Sequence, residues 1–199
     1  MDAPKVHRNK VEVFTPDEVR RILAAAQDDR LEAAYVLALS TGMRGGEVFA
    51  LQPDDYNNGT LAIRRTLVNN GTEIGTPKSK NSNRTIQLPA IARDALERHL
   101  LKNNGGSDWI FPSRAGTTLF YHNVIRFHWR PLLKRAEVSY RNFHVCRHYV
   151  ASELISRGIP ISAVAPYLGD NEVAILRTYS HLIDGMQNIA ASAMDEALG

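Results

Sequence analysis

Apolar residues recur at helical spacing along most of this 199-residue chain, and one interior stretch alternates instead. Thr15-Pro16-Asp17-Glu18 predicts a helix start, with Thr15 as N-cap, Pro16 at the first helical position and Glu18 closing a capping box. Val19, Ile22, Leu23 and Ala26 continue it as an apolar stripe. Ala33, Ala34, Val36, Leu37 and Leu39 predict a second, buried helix that Gly42 ends, and a short helix runs from about Arg44 through Leu51. Thr60 to Val68 is strand-like, with a turn at Asn69-Asn70-Gly71, a second strand at Glu73-Ile74-Gly75 and a third at Arg84 to Leu88. Pro89 opens another helix, through Leu96 and Leu100, and Trp109-Ile110-Phe111-Pro112 reads as a short apolar anchor. A helix from about Tyr121 to Ala136 would set Val124, Phe127 and Leu132 on one side and Arg126, Arg130 and Lys134 on the other. A helix carrying His144 and ended by Gly158, a short one after Pro160, and a pair around 173–182 and 186–198 complete the chain. The expected fold class is α+β, mostly helical with a small antiparallel three-stranded sheet, because the strands are segregated.

Composition narrows the setting. With 44% hydrophobic residues the chain can bury its own core as one substantial domain. No apolar run reaches membrane-spanning length and the N-terminus lacks a signal-peptide apolar region, so a cytoplasmic protein is expected. The single cysteine, Cys146, cannot form an internal disulfide, which fits a reducing compartment. The net charge is only +3, so distribution matters more than sum. Acidic residues collect early and at the end, whereas Arg64-Arg65, Lys78 to Arg84 and Arg126 through Arg141 make the middle basic. That asymmetry predicts a basic working face.

Candidate chemistry lies in three stretches: Gly42-Met43-Arg44-Gly45-Gly46-Glu47, His144-Val145-Cys146-Arg147-His148, and Arg177-Thr178-Tyr179-Ser180-His181. Two arginines, a histidine and a tyrosine brought together would suit a phosphodiester, because a guanidinium donates parallel hydrogen bonds and stays charged. Each residue also has an ordinary reading. Arg44 can pair with Glu47 and Arg147 with Glu153, His144 can be structural, and Tyr179 can be a core tyrosine. Lys78 and Lys80 can simply keep a hairpin soluble. Metal chemistry is not expected: His144, Cys146 and His148 are two apart, point in different directions along a helix, and have no second ligand pair. No glycine-rich phosphate loop and no serine-hydrolase elbow is present.

The order Thr-Gly-Met-Arg-x-Gly-Glu, a lysine hairpin ending Arg-Thr-Ile-x-Leu, His-x-x-Arg-His, Tyr-Leu-Gly and Arg-Thr-Tyr-Ser-His-Leu resembles the catalytic domain of the tyrosine recombinases, the phage-integrase family. The resemblance runs from about Thr15 to Leu182 and implies the DNA breaking-rejoining enzyme fold. It implies that Arg44 and Arg147 bind phosphate, Lys78 is the hairpin lysine that protonates the leaving 5′ oxygen, with Lys80 competing for the role, His144, preceding the second arginine, helps accept the tyrosine proton, and Tyr179 is the nucleophile. One position departs from the pattern. Leu168-Gly169 is followed by Asp170, where the family has histidine or tryptophan. A carboxylate cannot donate to a phosphate unless protonated, so Asp170 either turns to orient Arg44, Arg147 or His144, or weakens the site. His181 is a substitute donor in that reading, and within the His144–His148 stretch only His144 and Arg147 face the chemistry.

What the resemblance implies further is site-specific recombination, integration or excision, of double-stranded DNA attachment sites through a 3′-phosphotyrosyl link. It would proceed without cofactor or metal, in a bacterial host cell, by a homo-oligomer (a tetramer) on DNA. Phosphate contacts are expected from Arg64, Arg65, Lys80, Arg126, Arg130 and Arg141. Residues 1–13 read as an interdomain linker or arm following an N-terminal DNA-clamping domain missing from this chain, and 14–184 as the catalytic domain. Residues 185–199, with an apolar stripe at Met186, Ile189, Ala190, Ala193, Met194 and Leu198, read as a helical tail, a candidate protomer-exchange segment. Type IB topoisomerase-like relaxation and a DNA-binding accessory protein with decayed catalysis are the rival readings.

Overall fold

A computed structural model describes residues 12–76, 82–103, 106–184 and 187–198. The first helix, α1 (Pro16–Ala25), begins as its sequence dictates. Thr15 N–H donates to Glu18 Oε2 at 2.8 Å and Glu18 N–H to Thr15 Oγ1 at 3.1 Å, so the capping box closes both ways. Helix α2 (Glu32–Thr41) is buried at every position from Ala33 to Leu39, and a helix apolar all round has to be surrounded. Around it pack α1, α3 (Gly45–Val48), α4 (Ala90–Asn103) and α7 (Val145–Ser156). Trp129 anchors this core. Its ring meets Phe14, Tyr35 and Phe143 at centroid distances of 6.1, 5.8 and 5.0 Å, and its indole N–H donates to the Arg141 carbonyl.

The sheet differs from the expected one. The run from Thr60 to Val68 breaks at Arg64-Arg65 into β2 (Thr60–Ile63) and β3 (Thr66–Val68). Arg65 Nη1 donates to both Asp55 oxygens, at 2.8 and 3.0 Å, with Arg64 3.6 Å from the same buried carboxylate, at the point where the strand changes partner. Strand β2 lies between β1 (Tyr56–Asn57) and β5 (Arg84–Gln87), all antiparallel, with Leu61 opposite Ile86. Strand β3 instead pairs with β4 (Glu73–Gly75) in a separate two-stranded ribbon. So a three-stranded antiparallel sheet is present, but β1 replaces Glu73–Gly75 in it.

Between α4 and α7, the helix expected over 121–136 runs as α5 (Tyr121–Val124), a wider π-type turn (Ile125–Trp129) and α6 (Arg130–Arg135). The wide turn rotates the face. The next fully buried residue after Val124 is Trp129, five on, and Phe127, expected to be inward, is exposed. Beyond α7, the helices α8 (Ile161–Leu168) and α9 (Glu172–Asp184) pack on it and on each other, forming a second, smaller core of Val150, Ile155, Val164, Leu168 and Ile175. A last helix, α10, spans Gln187–Leu198, where Met194 and Leu198 are exposed; the side chains of Met186, Ile189, Ala190 and Ala193 lie outside the described residues. Residues 1–11 of the predicted arm also lie outside them. No helix among the described residues is long and apolar enough to cross a membrane.

Candidate active site

The site forms where the end of α2, the start of α7 and the turn after α8 meet. Arg44 precedes α3, and the Glu47 carboxylate reaches back to it from the first turn. It accepts from Arg44 N–H at 3.0 Å and from Nη1 at 3.1 Å. The ordinary Arg44–Glu47 pairing therefore exists, but not at the surface, since Glu47 is 2% exposed and is shared. Arg84 of β5 donates to its two oxygens at 3.2 and 3.4 Å and, through Nε, to the Tyr167 carbonyl. Arg147, on the first turn of α7, is buried. Its Nη1 donates to the Gly42 carbonyl at 3.1 Å and to the Leu168 carbonyl at 2.5 Å. The alternative Arg147–Glu153 pair does not form; Glu153 holds Arg157 instead.

Asp170 joins the two arginines. Its Oδ2 accepts from Arg147 Nη2 at 2.9 Å and from Arg44 Nη2 at 3.3 Å. Gly169 delivers it. Gly169 ends α8 in the left-handed region at φ 71°, its carbonyl accepts from Arg44 Nη1, and a Cβ on it would fall 2.4 Å from Arg84 Nη1. Charges thus alternate along Arg84, Glu47, Arg44, Asp170 and Arg147, three cations against two anions. One oxygen held by two converging Nη2 atoms is the arrangement that a non-bridging phosphate oxygen would adopt.

Tyr179, on α9, is 3% exposed and belongs to the smaller core. Its Oη lies 2.6 Å from Nδ1 of His148, and the His148 ring in turn meets that of His144 edge-on at 4.9 Å. Burial pushes the Tyr179 phenol up to about 12, with Asp170 adding to the rise and Arg147 opposing it. Burial and then Arg147 hold His148 below the ordinary imidazole range. His144 is held down to about 4, by burial of its inner face first and then by His148, Arg147 and Arg44, although the residue reaches solvent. Both imidazoles are therefore neutral at neutral pH, and Tyr179 carries its proton.

Within the His144–His148 stretch, it is His148 that contacts Tyr179. The signal was its spacing: His144 and His148 are four apart and share a helix face. Arg84 was also missed, since nothing local marks it as a second partner of Glu47. Lys78 and Lys80 lie outside the described residues, and nothing is described of the His181 side chain. Of the expected phosphate contacts, Arg64, Arg126 and Arg130 are exposed, the last two over the rings of Phe127 and Tyr140. Arg65 is committed to Asp55, and Arg141 to Glu12 and Glu18 at 3.0 and 2.9 Å. Among the described residues no group of His, Cys, Asp and Glu is placed to hold a metal ion.

Fold and site together define an arginine pair closed on the Asp170 carboxylate, and a buried tyrosine hydrogen-bonded to a histidine. The chain belongs to the phage integrase family, which it matches over residues 12–185. It is 28% identical over 214 residues to "Tyrosine recombinase XerC-like" of Caldanaerobacter subterraneus subsp. tengcongensis, covering 94% of this chain and 54% of that protein. It is 26% identical to tyrosine recombinase XerD of Rhizobium meliloti (92% of this chain, 61% of that one) and 26% identical to the integrase of Salmonella phage P22 (98% and 50%). The chain therefore spans between 50% and 61% of the length of these relatives. Its fold matches the crystal structure of XerA recombinase with a TM-score of 0.74 at 22% identity (95% of this chain, 66% of that one). It also matches the Tn1549 transposon integrase in complex with transposon right end DNA, with a TM-score of 0.78 at 22% identity (98% and 68%).

Proposed function

We propose that this chain is the catalytic part of a site-specific DNA recombinase that cuts and rejoins strands through a phosphotyrosyl link to Tyr179. The observation that carries the reading is the convergence of Arg44 and Arg147 on one anionic oxygen, that of Asp170. In this reading a scissile phosphate takes that seat, and both guanidiniums neutralise the charge that develops on its non-bridging oxygens. Tyr179 Oη attacks phosphorus, leaving the DNA joined through its 3′ phosphate and releasing a 5′ hydroxyl. The phosphotyrosine keeps the bond energy, so rejoining to another strand needs no ATP. Lys78, by resemblance, protonates the leaving 5′ oxygen, with Lys80 the competing candidate.

Arg64, Arg126 and Arg130, with Lys80, contribute phosphate contacts outside the site. The assembly on DNA is a tetramer in which α10 docks on a neighbouring protomer, and an N-terminal clamping domain belongs to the full protein. The names and DNA complexes of the relatives support this reading. The test is a suicide substrate, attachment-site DNA nicked near the cleavage point, with adduct scored by gel shift under denaturing conditions. A covalent adduct formed by the wild type and abolished in Tyr179→Phe is expected. An adduct that persists in Tyr179→Phe would exclude Tyr179 as the nucleophile. DNA binding without any adduct would favour an accessory role.

A further inference from the structure

The Tyr179 hydroxyl has a polar partner already in place. Among the described residues its hydrogen bond goes to His148 and not to His144, which touches the edge of the His148 ring instead. His144 caps the start of α7 and His148 lies on its first turn, but their surroundings differ. His144 feels both arginines and Asp170, whereas His148 is set behind it, toward α9. That leaves His144 placed to donate to a phosphate oxygen and His148 placed on the nucleophile.

We propose that His148 takes the proton from Tyr179 as it attacks phosphorus, and returns it when the strand is rejoined; this rests on the recombinase reading above. In the productive tautomer His148 carries its proton on Nε2, so the Nδ1 lone pair accepts from Tyr179 Oη–H. As the Oη–P bond forms, the hydroxyl proton passes to Nδ1, giving an imidazolium. The P–O5′ bond breaks, its electron pair leaves on the 5′ oxygen, and that oxygen takes a proton from the general acid proposed above. In rejoining, the 5′ hydroxyl attacks as its proton returns to the group that supplied it, the Oη–P bond breaks, and the imidazolium returns its proton to Oη. No oxidant, metal or further reactant is involved.

Timing follows from the two groups' affinities for the proton. With Tyr179 pushed up to about 12 and His148 lowered, transfer before attack is strongly uphill. Transfer becomes favourable only as the bond to phosphorus drains charge from the oxygen, which is general-base catalysis within the attacking step. Among the described residues, the charged and titratable groups around His148 are Arg147 on its own helix, His144 at that helix's N-cap and Tyr179 from α9. Arg44, before α3, and Asp170, after α8, act on its neighbour His144.

His148→Asn separates holding from proton transfer, because the amide oxygen can still accept from Oη but is not a base. On the suicide substrate, single-turnover adduct formation should slow by roughly 10²–10⁴-fold. The decline of the wild-type rate at acid pH should disappear in His148→Asn and persist in His144→Asn. The defect should remain on a substrate whose bridging 5′ oxygen is replaced by sulfur, since a thiolate leaves without an acid and only the attack step is then read. A His148→Asn enzyme within a few-fold of wild type, or one rescued by the sulfur substrate, would overturn the proposal while leaving the recombinase reading standing. A wild type that forms no adduct sinks both. Without DNA, the ¹⁵N signal of His148 Nδ1 should move in Tyr179→Phe, which also guards against loss of fold. An unchanged signal would refute the contact itself.

Discussion

Replacing Asp170 by Asn keeps the side chain's shape and removes its charge, which sets stability against anion binding. Arg147 is 5% exposed while Asp170 and Arg44 are 28% and 34% exposed, so the cluster is neither a surface pair nor a dry one. Exposed pairs contribute about 0.2–1 kcal/mol and breaking a buried one costs about 3–5 kcal/mol, which places this loss at about 1–3 kcal/mol. For a chain of this length that lowers Tm by roughly 2–12 °C.

The effect on phosphate has the opposite sign. The arginines do not rely on Asp170 for their placement: Arg44 Nη1 is held by Glu47 and the Gly169 carbonyl, and Arg147 Nη1 by the Gly42 and Leu168 carbonyls. The Asp170 carboxylate instead takes up both Nη2 atoms. A phosphate must displace it, so removing its charge should tighten binding by the same about 1–3 kcal/mol, or about 5- to 150-fold. Differential scanning calorimetry gives the first quantity. Titration of inorganic phosphate, followed through the guanidinium ¹⁵N–¹H signals of Arg147, gives the second. A variant that is less stable and also binds phosphate more weakly would refute the reasoning and make Asp170 the residue that positions the pair.

Glu47→Gln leaves Arg84 and Arg44 sharing a neutral partner in a buried site, and urea unfolding should show a loss of about 3–5 kcal/mol. Gly169→Ala should cost more than Gly158→Ala in the same assay. Both take a positive φ, worth about 1–2 kcal/mol, but a Cβ at Gly158 meets open space whereas one at Gly169 strikes Arg84. Stability should fall as pH drops below about 6.5, the ordinary imidazole value, because His144 and His148 are lowered in the fold and the unfolded chain then binds more protons. Calorimetry across that range should show the fall, and His144→Asn should flatten it; an unchanged slope would contradict the assigned environment.

Elements specified by near neighbours were legible in the sequence. The Thr15–Glu18 capping box, the apolar run Ala33 to Leu39 of α2 and the Gly42 stop each depend on residues a few positions apart. The features that were not legible depend on distant partners. The strand changes partner at Arg64-Arg65, where both guanidiniums are drawn to Asp55, about ten residues earlier. The inward face of the 121–135 helix shifts because one wide turn exchanges Phe127 for Trp129, and period-3.6 counting has no way to register that.

Asp170 is the sharpest case, because the sequence left two directions open for it, toward the arginines or against the phosphate. Its direction is set by Gly169, whose left-handed turn places the carboxylate between guanidiniums that lie 23 and 126 residues away along the chain. Arg84 packs where a Gly169 side chain would be, and its own ion pair with Glu47 fixes Arg44. So the residue that departs from the family pattern sits on a glycine, and that glycine is required by an arginine from the sheet. An imidazole introduced in place of the Asp170 carboxylate would have to rise from the same turn, so Asp170→His is to be made with Gly169 and Arg84 left intact. If its ring reaches the seat that Asp170 now fills, it exchanges an acceptor for a donor at the phosphate, and one transition-state donor is worth about 10²–10³-fold in adduct formation. An Asp170→His enzyme that folds as the wild type does and cleaves no faster would show that the carboxylate already serves the reaction.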